Sequence, residues 1–74
     1  MDNFTLYRST LEAMYESGLK VLREMAEHVN LDIELIAREA AYAGIRGFSP
    51  EYLSTGDVED IIKDFEREHE FDEL

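Results

Sequence analysis

The stretch from Phe4 to Val29 constrains this chain more than any other. Apolar or small residues recur at Phe4, Tyr7, Leu11, Met14, Gly18, Val21 and Met25, in alternating steps of three and four that repeat one helix face. Tyr15, Leu22 and Val29 follow one residue on, with Leu19 and Ala26 beside them, and at 100° per residue the set spans an arc of roughly 160°. A two-stranded coiled coil needs only a narrow seam, so more than one element has to cover this helix. Gly18 sits at the centre of the stripe, where a glycine costs about 1 kcal/mol against alanine. Close approach by another backbone is the expected reason. Asn3 or Thr5 is expected to cap the first free amides.

The rest of the chain supplies shorter pieces. Asn30 reads as a terminator and Asp32 as the cap of a second helix, from Ile33 to Tyr42 or Ala43,. Ile33, Ile36, Ala37, Ala40 and Ala43 would form its packing face. Gly44 to Gly47 reads as a turn, and Ser49-Pro50-Glu51 as a new start that carries one helical turn through Leu53,. Thr55 then caps the last helix, whose stripe is Val58, Ile61, Ile62, Phe65 and His69, roughly 100° wide. Asp72 would fall inside that stripe, so the helix should end near Glu70 and residues 71–74 should fray as an acidic tail. The expected fold is all-α: a small helical bundle, one long N-terminal helix packed by two shorter helices plus a one-turn helix, with residues 1–74 as a single domain.

Seventy-four residues lie near the limit at which one core suffices. Chains of this size often gain stability by dimerising, and a homodimer through the Phe4–Val29 helix is expected on that ground. There is no cysteine, which excludes disulfides and thiolate metal sites and fits a reducing compartment. Met1-Asp-Asn-Phe lacks the basic region and apolar run of a signal peptide,, and nothing approaches a membrane span. The expected location is the cytoplasm, the host's if the chain is viral. Phe71-Asp72-Glu73-Leu74 resembles an endoplasmic-reticulum retention signal, a match read as accidental without a secretory signal.

Charge excludes more. Eighteen acids against seven bases give a net −11, beyond the roughly 2–8 that solubility calls for. Direct binding to nucleic acid needs Lys and Arg, and anionic membranes are disfavoured for the same reason. The expected partner is a protein with a basic surface. The excess is concentrated: residues 51–74 hold ten acids and two bases. Asp57, Glu59, Asp60, Asp64, Glu66, Glu68 and Glu70 crowd the last helix, interrupted by Lys63 and Arg67. Acids near a helix C-terminus oppose its dipole, so local stability does not explain them. Carboxylates four residues apart lie roughly 6 Å from one another, similar to the phosphate spacing of a nucleic-acid strand. Asp57, Glu59, Asp60, Asp64, Glu66 and Glu70 are the candidate partner-binding residues, with Leu35 and Tyr42 as an apolar anchor near Ile45. The alternative for the acids is a solvated face, and for the anchor a place in the core.

Other chemistry is thinner. Glu66-x-x-His69 has the spacing of carboxylate-bridged di-metal bundles, and His28 is a further nitrogen, but Glu24 and Glu27 fall on the outward face. No metal or cofactor is expected. None of Ser9, Ser17, Ser49 and Ser54 has a base or elbow motif beside it, and an enzyme is not expected. Ile36 to Arg46 followed by Ser49 to Leu53 faintly resembles a helix-turn-helix, yet its second helix offers Glu51 and Tyr52 to DNA. Three readings follow: an acidic regulator or inhibitor, of the general type of phage-encoded inhibitors that imitate nucleic acid; a dimerising assembly module whose charge aids solubility; and a small transcription regulator.

Overall fold

The structure is a computed structural model that describes residues 2–28 and 32–71. It contains three helices: α1 (Asn3–Met25), followed by a 3-10 turn (Ala26–His28), α2 (Ile33–Tyr52) and α3 (Thr55–His69). The all-α bundle built on a long first helix is therefore what forms. Val29, Asn30 and the tail at 72–74 lie outside the described residues.

Each helix starts on a side-chain cap. Asp2, rather than Asn3 or Thr5, caps α1: its Oδ1 accepts the Thr5 amide at 2.7 Å, and that bond holds the Asp2 carboxyl below its ordinary range. Asp32 caps α2 as expected, accepting the Leu35 amide at 3.2 Å. Ser54, rather than Thr55, caps α3 by accepting the Asp57 amide at 3.1 Å. Every one of these oxygens satisfies an amide that has no partner inside its helix.

The largest departure from the sequence reading is α2. The expected turn at Gly44–Gly47 and the separate one-turn helix through Leu53 do not form; α2 runs unbroken to Tyr52. Neither glycine has a positive φ, so neither acts as a turn former. A Cβ on Gly44 would lie 2.9 Å from the Met14 sulfur. Gly44 is the gap into which Met14 of α1 packs, and the packing overrides the local breaking signal. Pro50, with no amide proton to give, leaves the last turn one backbone bond short. With the turn gone, the helix-turn-helix arrangement has no geometric basis here.

α1 and α2 form an antiparallel layer, with Tyr7 beside Phe48 (ring centroids 6.1 Å apart), Met14 on Gly44, and Gly18 opposite Ala37. A Cβ on Gly18 would meet that of Ala37 at 3.4 Å, so the close approach expected at the stripe centre is present. α3 covers one side of this layer, and the core lies between. Leu11, Tyr15 and Leu19 come from α1, Ala37, Ala41, Tyr42 and Ile45 from α2, and Val58, Ile61, Ile62 and Phe65 from α3. On α2 the packing face is thus turned from the one expected: Ile36, Ala40 and Ala43 are exposed, and Ala41, Tyr42 and Ile45 are buried. Tyr42 is only 5% exposed. The expected surface patch of Leu35, Tyr42 and Ile45 does not exist.

Glu70 and Phe71 also depart from the expected fraying. Glu70 adopts a left-handed conformation (φ 58°, ψ 37°). Its amide donates to the Arg67 carbonyl at 3.2 Å, and the Phe71 amide to the Glu66 carbonyl at 2.9 Å, the paired bonds of a Schellman cap. This turn sends Phe71 back onto the bundle. Its ring stacks on His69 (5.3 Å, 8°) and lies under the Arg38 guanidinium at 4.6 Å. The fraying expected from residue 71 therefore does not apply to Phe71.

Candidate functional site

The α1–α3 seam is organised by one arginine. Arg8 lies within the apolar arc of α1, and its side chain is 12% exposed. Its Nε donates to Asp64 at 2.9 Å, Nη1 to Glu12 at 3.1 Å and Nη2 to Glu68. The guanidinium also sits 5.2 Å from the centre of the buried Phe65 ring. Burial works against this charge, but the hydrogen bonds to Asp64 and Glu12, with the charge of Glu68, outweigh it and raise the pKa of Arg8. Glu12 in turn holds His69 Nε2 at 2.8 Å from both carboxylate oxygens. Burial would raise the Glu12 pKa, yet the bonds from His69 and Arg8 prevail and lower it. Asp64 is lowered by its bonds from Arg8 and then Arg67, so it stays ionised at neutral pH.

The acids of α3 do not share one outer face. At 100° per residue, Glu59 and Glu66 fall on the flank towards α2, and Asp57, Asp64 and Glu68 on the flank towards α1. The crest between them carries Lys63 and Arg67 with Asp60, all exposed. On the α2 flank the acids are engaged. Glu66 accepts the Tyr42 hydroxyl at 2.7 Å; burial, and then this bond, raise the Tyr42 pKa. Glu59 accepts Arg46 Nη2 at 3.2 Å.

Asp57, Asp64 and Glu68 on the α1 flank, with Asp60 at the adjoining edge of the crest, form a row at i, i+3, i+7 and i+11, rising roughly 16 Å along the helix. Asp57 and Asp60 are exposed, and the side chains of Asp64 and Glu68 are 34% and 70% exposed although Arg8 holds both. Glu70 is exposed at the cap, apart from this row. Of the residues expected to bind, the structure therefore groups Asp57, Asp60 and Asp64, gives Glu59 and Glu66 internal partners, and buries Tyr42. Leu35 is 42% exposed on an open cleft of about 280 Å³ that it lines with Asp32, Glu34, Arg38 and Phe71.

Arg8 was missed because a search for apolar periodicity passes over a charge inside the stripe. The readable signal was a lone base within an apolar arc, in a chain whose last helix is strongly acidic. His69 packs at the core edge against Tyr15 (5.3 Å) and Phe65 (4.6 Å), and among the described residues no three His, Asp or Glu are placed to hold a metal ion. The side chain of His28 lies outside those residues. No described helix is long and apolar enough to cross a membrane. No protein family, curated protein or solved structure matches this chain.

Proposed function

We propose that this chain is a small acidic regulator or inhibitor that binds a protein with a basic surface, imitating a nucleic-acid backbone towards a nucleic-acid-binding protein. The observation that carries this reading is the row Asp57, Asp60, Asp64 and Glu68 on the flank of α3. Neighbouring carboxylates at these intervals lie roughly 6 Å apart, and the row is held on a helix rather than a loop. Arg8 fixes two of its members from beneath, which lowers the entropy that a basic partner must remove on binding. The surplus of negative charge would speed the encounter with such a partner. The partner would meet it in the cytoplasm, the host's if the chain is viral, as in phage-type inhibition.

The test is capture of a nucleic-acid-binding protein from cell lysate by the immobilised chain. Captured protein should be released by salt and displaced by nucleic acid, because exposed charges lose their attraction beyond about 8 Å at physiological ionic strength. Lysine at Asp57, Asp60 and Asp64 together should abolish capture, with helix content checked by circular dichroism. Capture that resists salt, or that survives this charge reversal, sinks the proposal.

A further inference from the structure

His69 is the last residue of α3, and two groups that respond to its charge hold it. Its Nε2 lies 2.8 Å from both carboxylate oxygens of Glu12 on α1. The Phe71 ring stacks flat on its own ring at 5.3 Å and 8°, and Arg38 of α2 lies over that same phenyl ring at 4.6 Å. The side chains of His69 and Glu12 are 26% and 32% exposed, so solvent screens their contact only in part. The turn that brings Phe71 back passes through Glu70, which is left-handed without being glycine (φ 58°). Such a backbone is disfavoured in itself, and its survival depends on what anchors Phe71.

We infer that His69 is a proton-operated latch, which clamps Phe71 and the end of α3 to the bundle when protonated and releases Phe71 from Arg38, widening the cleft beside Leu35, when the proton is lost. Histidine is the side chain whose charge changes between about pH 5 and 8. Glu12 keeps its charge throughout that range. Burial would raise its carboxyl, but the bonds from His69 and Arg8 prevail and hold it below the usual 4.5. A proton on His69 therefore strengthens two contacts together: the bond to Glu12 gains a charged donor, and the stack on Phe71 becomes a cation over an aromatic face.

The charges around His69 favour that proton. From α1 it meets Glu12, with Arg8 behind it and Tyr15 beside it. From α2 come Arg38 over Phe71 and Glu34 on the same cleft. The fields of Glu34, Glu16 and Arg38 all reach the neighbouring Tyr15. On α3 itself Glu66 is taken by Tyr42 and Glu68 by Arg8, and Glu70 follows at the cap. Carboxylates outnumber the two arginines. The latch is complete where both His69 and Glu12 are charged, at the acid end of the histidine range, and is lost as the pH rises through it.

Two-dimensional NMR of the full chain between about pH 5 and 8 tests this. Nuclear Overhauser contacts between the Phe71 ring and Arg38 should weaken by roughly threefold or more across the range. The protection factor of the Phe71 amide, which donates to the Glu66 carbonyl, should fall by a similar factor. Both changes should follow the titration of the His69 ring. His69→Gln retains a donor for Glu12 but no titrating proton, and it should leave both readouts flat. Glu12→Gln should flatten them as well, and His69→Gln decides the matter if Glu12→Gln fails to fold. Contacts and protection that hold unchanged to the alkaline end overturn the inference, because packing alone would then anchor Phe71. A loss that persists in His69→Gln overturns it by assigning the response to a different group.

Discussion

The two sides of the α1–α2 layer are covered by different rules. The side under α3 is an aromatic core rimmed by ion pairs: Phe65 meets Tyr15 and Tyr42 edge-on, and Arg8, Glu12, Asp64 and His69 close the margin. The side opposite α3 is bare and exposes Val21, Met25 and Ile36 beside the small Ala40, Ala43 and Gly47. Apolar burial alone would let α3 slide or rotate on the layer at modest cost. Arg8 reaches three carboxylates at once only in one register, so the charges supply position where the rings supply energy. The bare side lacks any such key.

The comparison can be broken most forcefully on the covered side. Phe65 is fully buried, and Phe65→Ala should cost about 3–5 kcal/mol, enough to unfold much of so small a domain in a thermal or urea titration. A loss below about 1 kcal/mol would mean that α3 is not the energetic centre of the fold.

Arg8→Met tests the key itself and should cost about 1–2 kcal/mol at pH 7, since charged hydrogen bonds are worth more than neutral ones but these are partly exposed. Its pH dependence has a definite sign. Asp64 and Glu12 are lowered from ordinary values of 3.8 and 4.5, so their contribution is complete above those values and fades as the pH falls through the lowered ones. Urea titrations of both proteins should therefore converge in strong acid. A gap that persists there would assign the loss to packing over Phe65.

Gly47→Ala sharpens the contrast from the bare side. Nothing lies within 4 Å of a Cβ at that position, so at high dilution the change should stabilise the helix by about 0.5–1 kcal/mol. Glu70→Gly should contribute about 1 kcal/mol by relieving a left-handed residue that is not glycine, raising the melting temperature by roughly 4–8 °C. No change in melting temperature would mean that Glu70 is held by more than its backbone bonds.

Periodicity made α1 and the inward face of α3 legible, because a stripe of Leu11, Tyr15 and Leu19, or of Val58, Ile61, Ile62 and Phe65, has no other economical reading. Local punctuation misled where tertiary packing outweighed it. Gly44 looks like a breaker until Met14 is seen filling the space above it. Tyr42 looks like a surface anchor only if α2 is rotated to bury its alanines at 40 and 43. The acids of α3 were legible as a cluster but not as two flanks with separate tasks. That division depends on Arg8 and Arg46, which lie on other helices.

The partners of Arg8 on α3 are 56 and 60 residues away in sequence, which orders events in time. The antiparallel α1–α2 pair closes through a short connection, whereas docking α3 joins nearly the two ends of the chain at a greater entropic cost. Refolding should pass through the helical pair before α3 settles. In native-state hydrogen exchange the amides of α3 should open together, at lower free energy than those of α1. The row of carboxylates then takes its place beside Arg8 only at the final step, so the surface proposed for binding is also a gauge of completed folding.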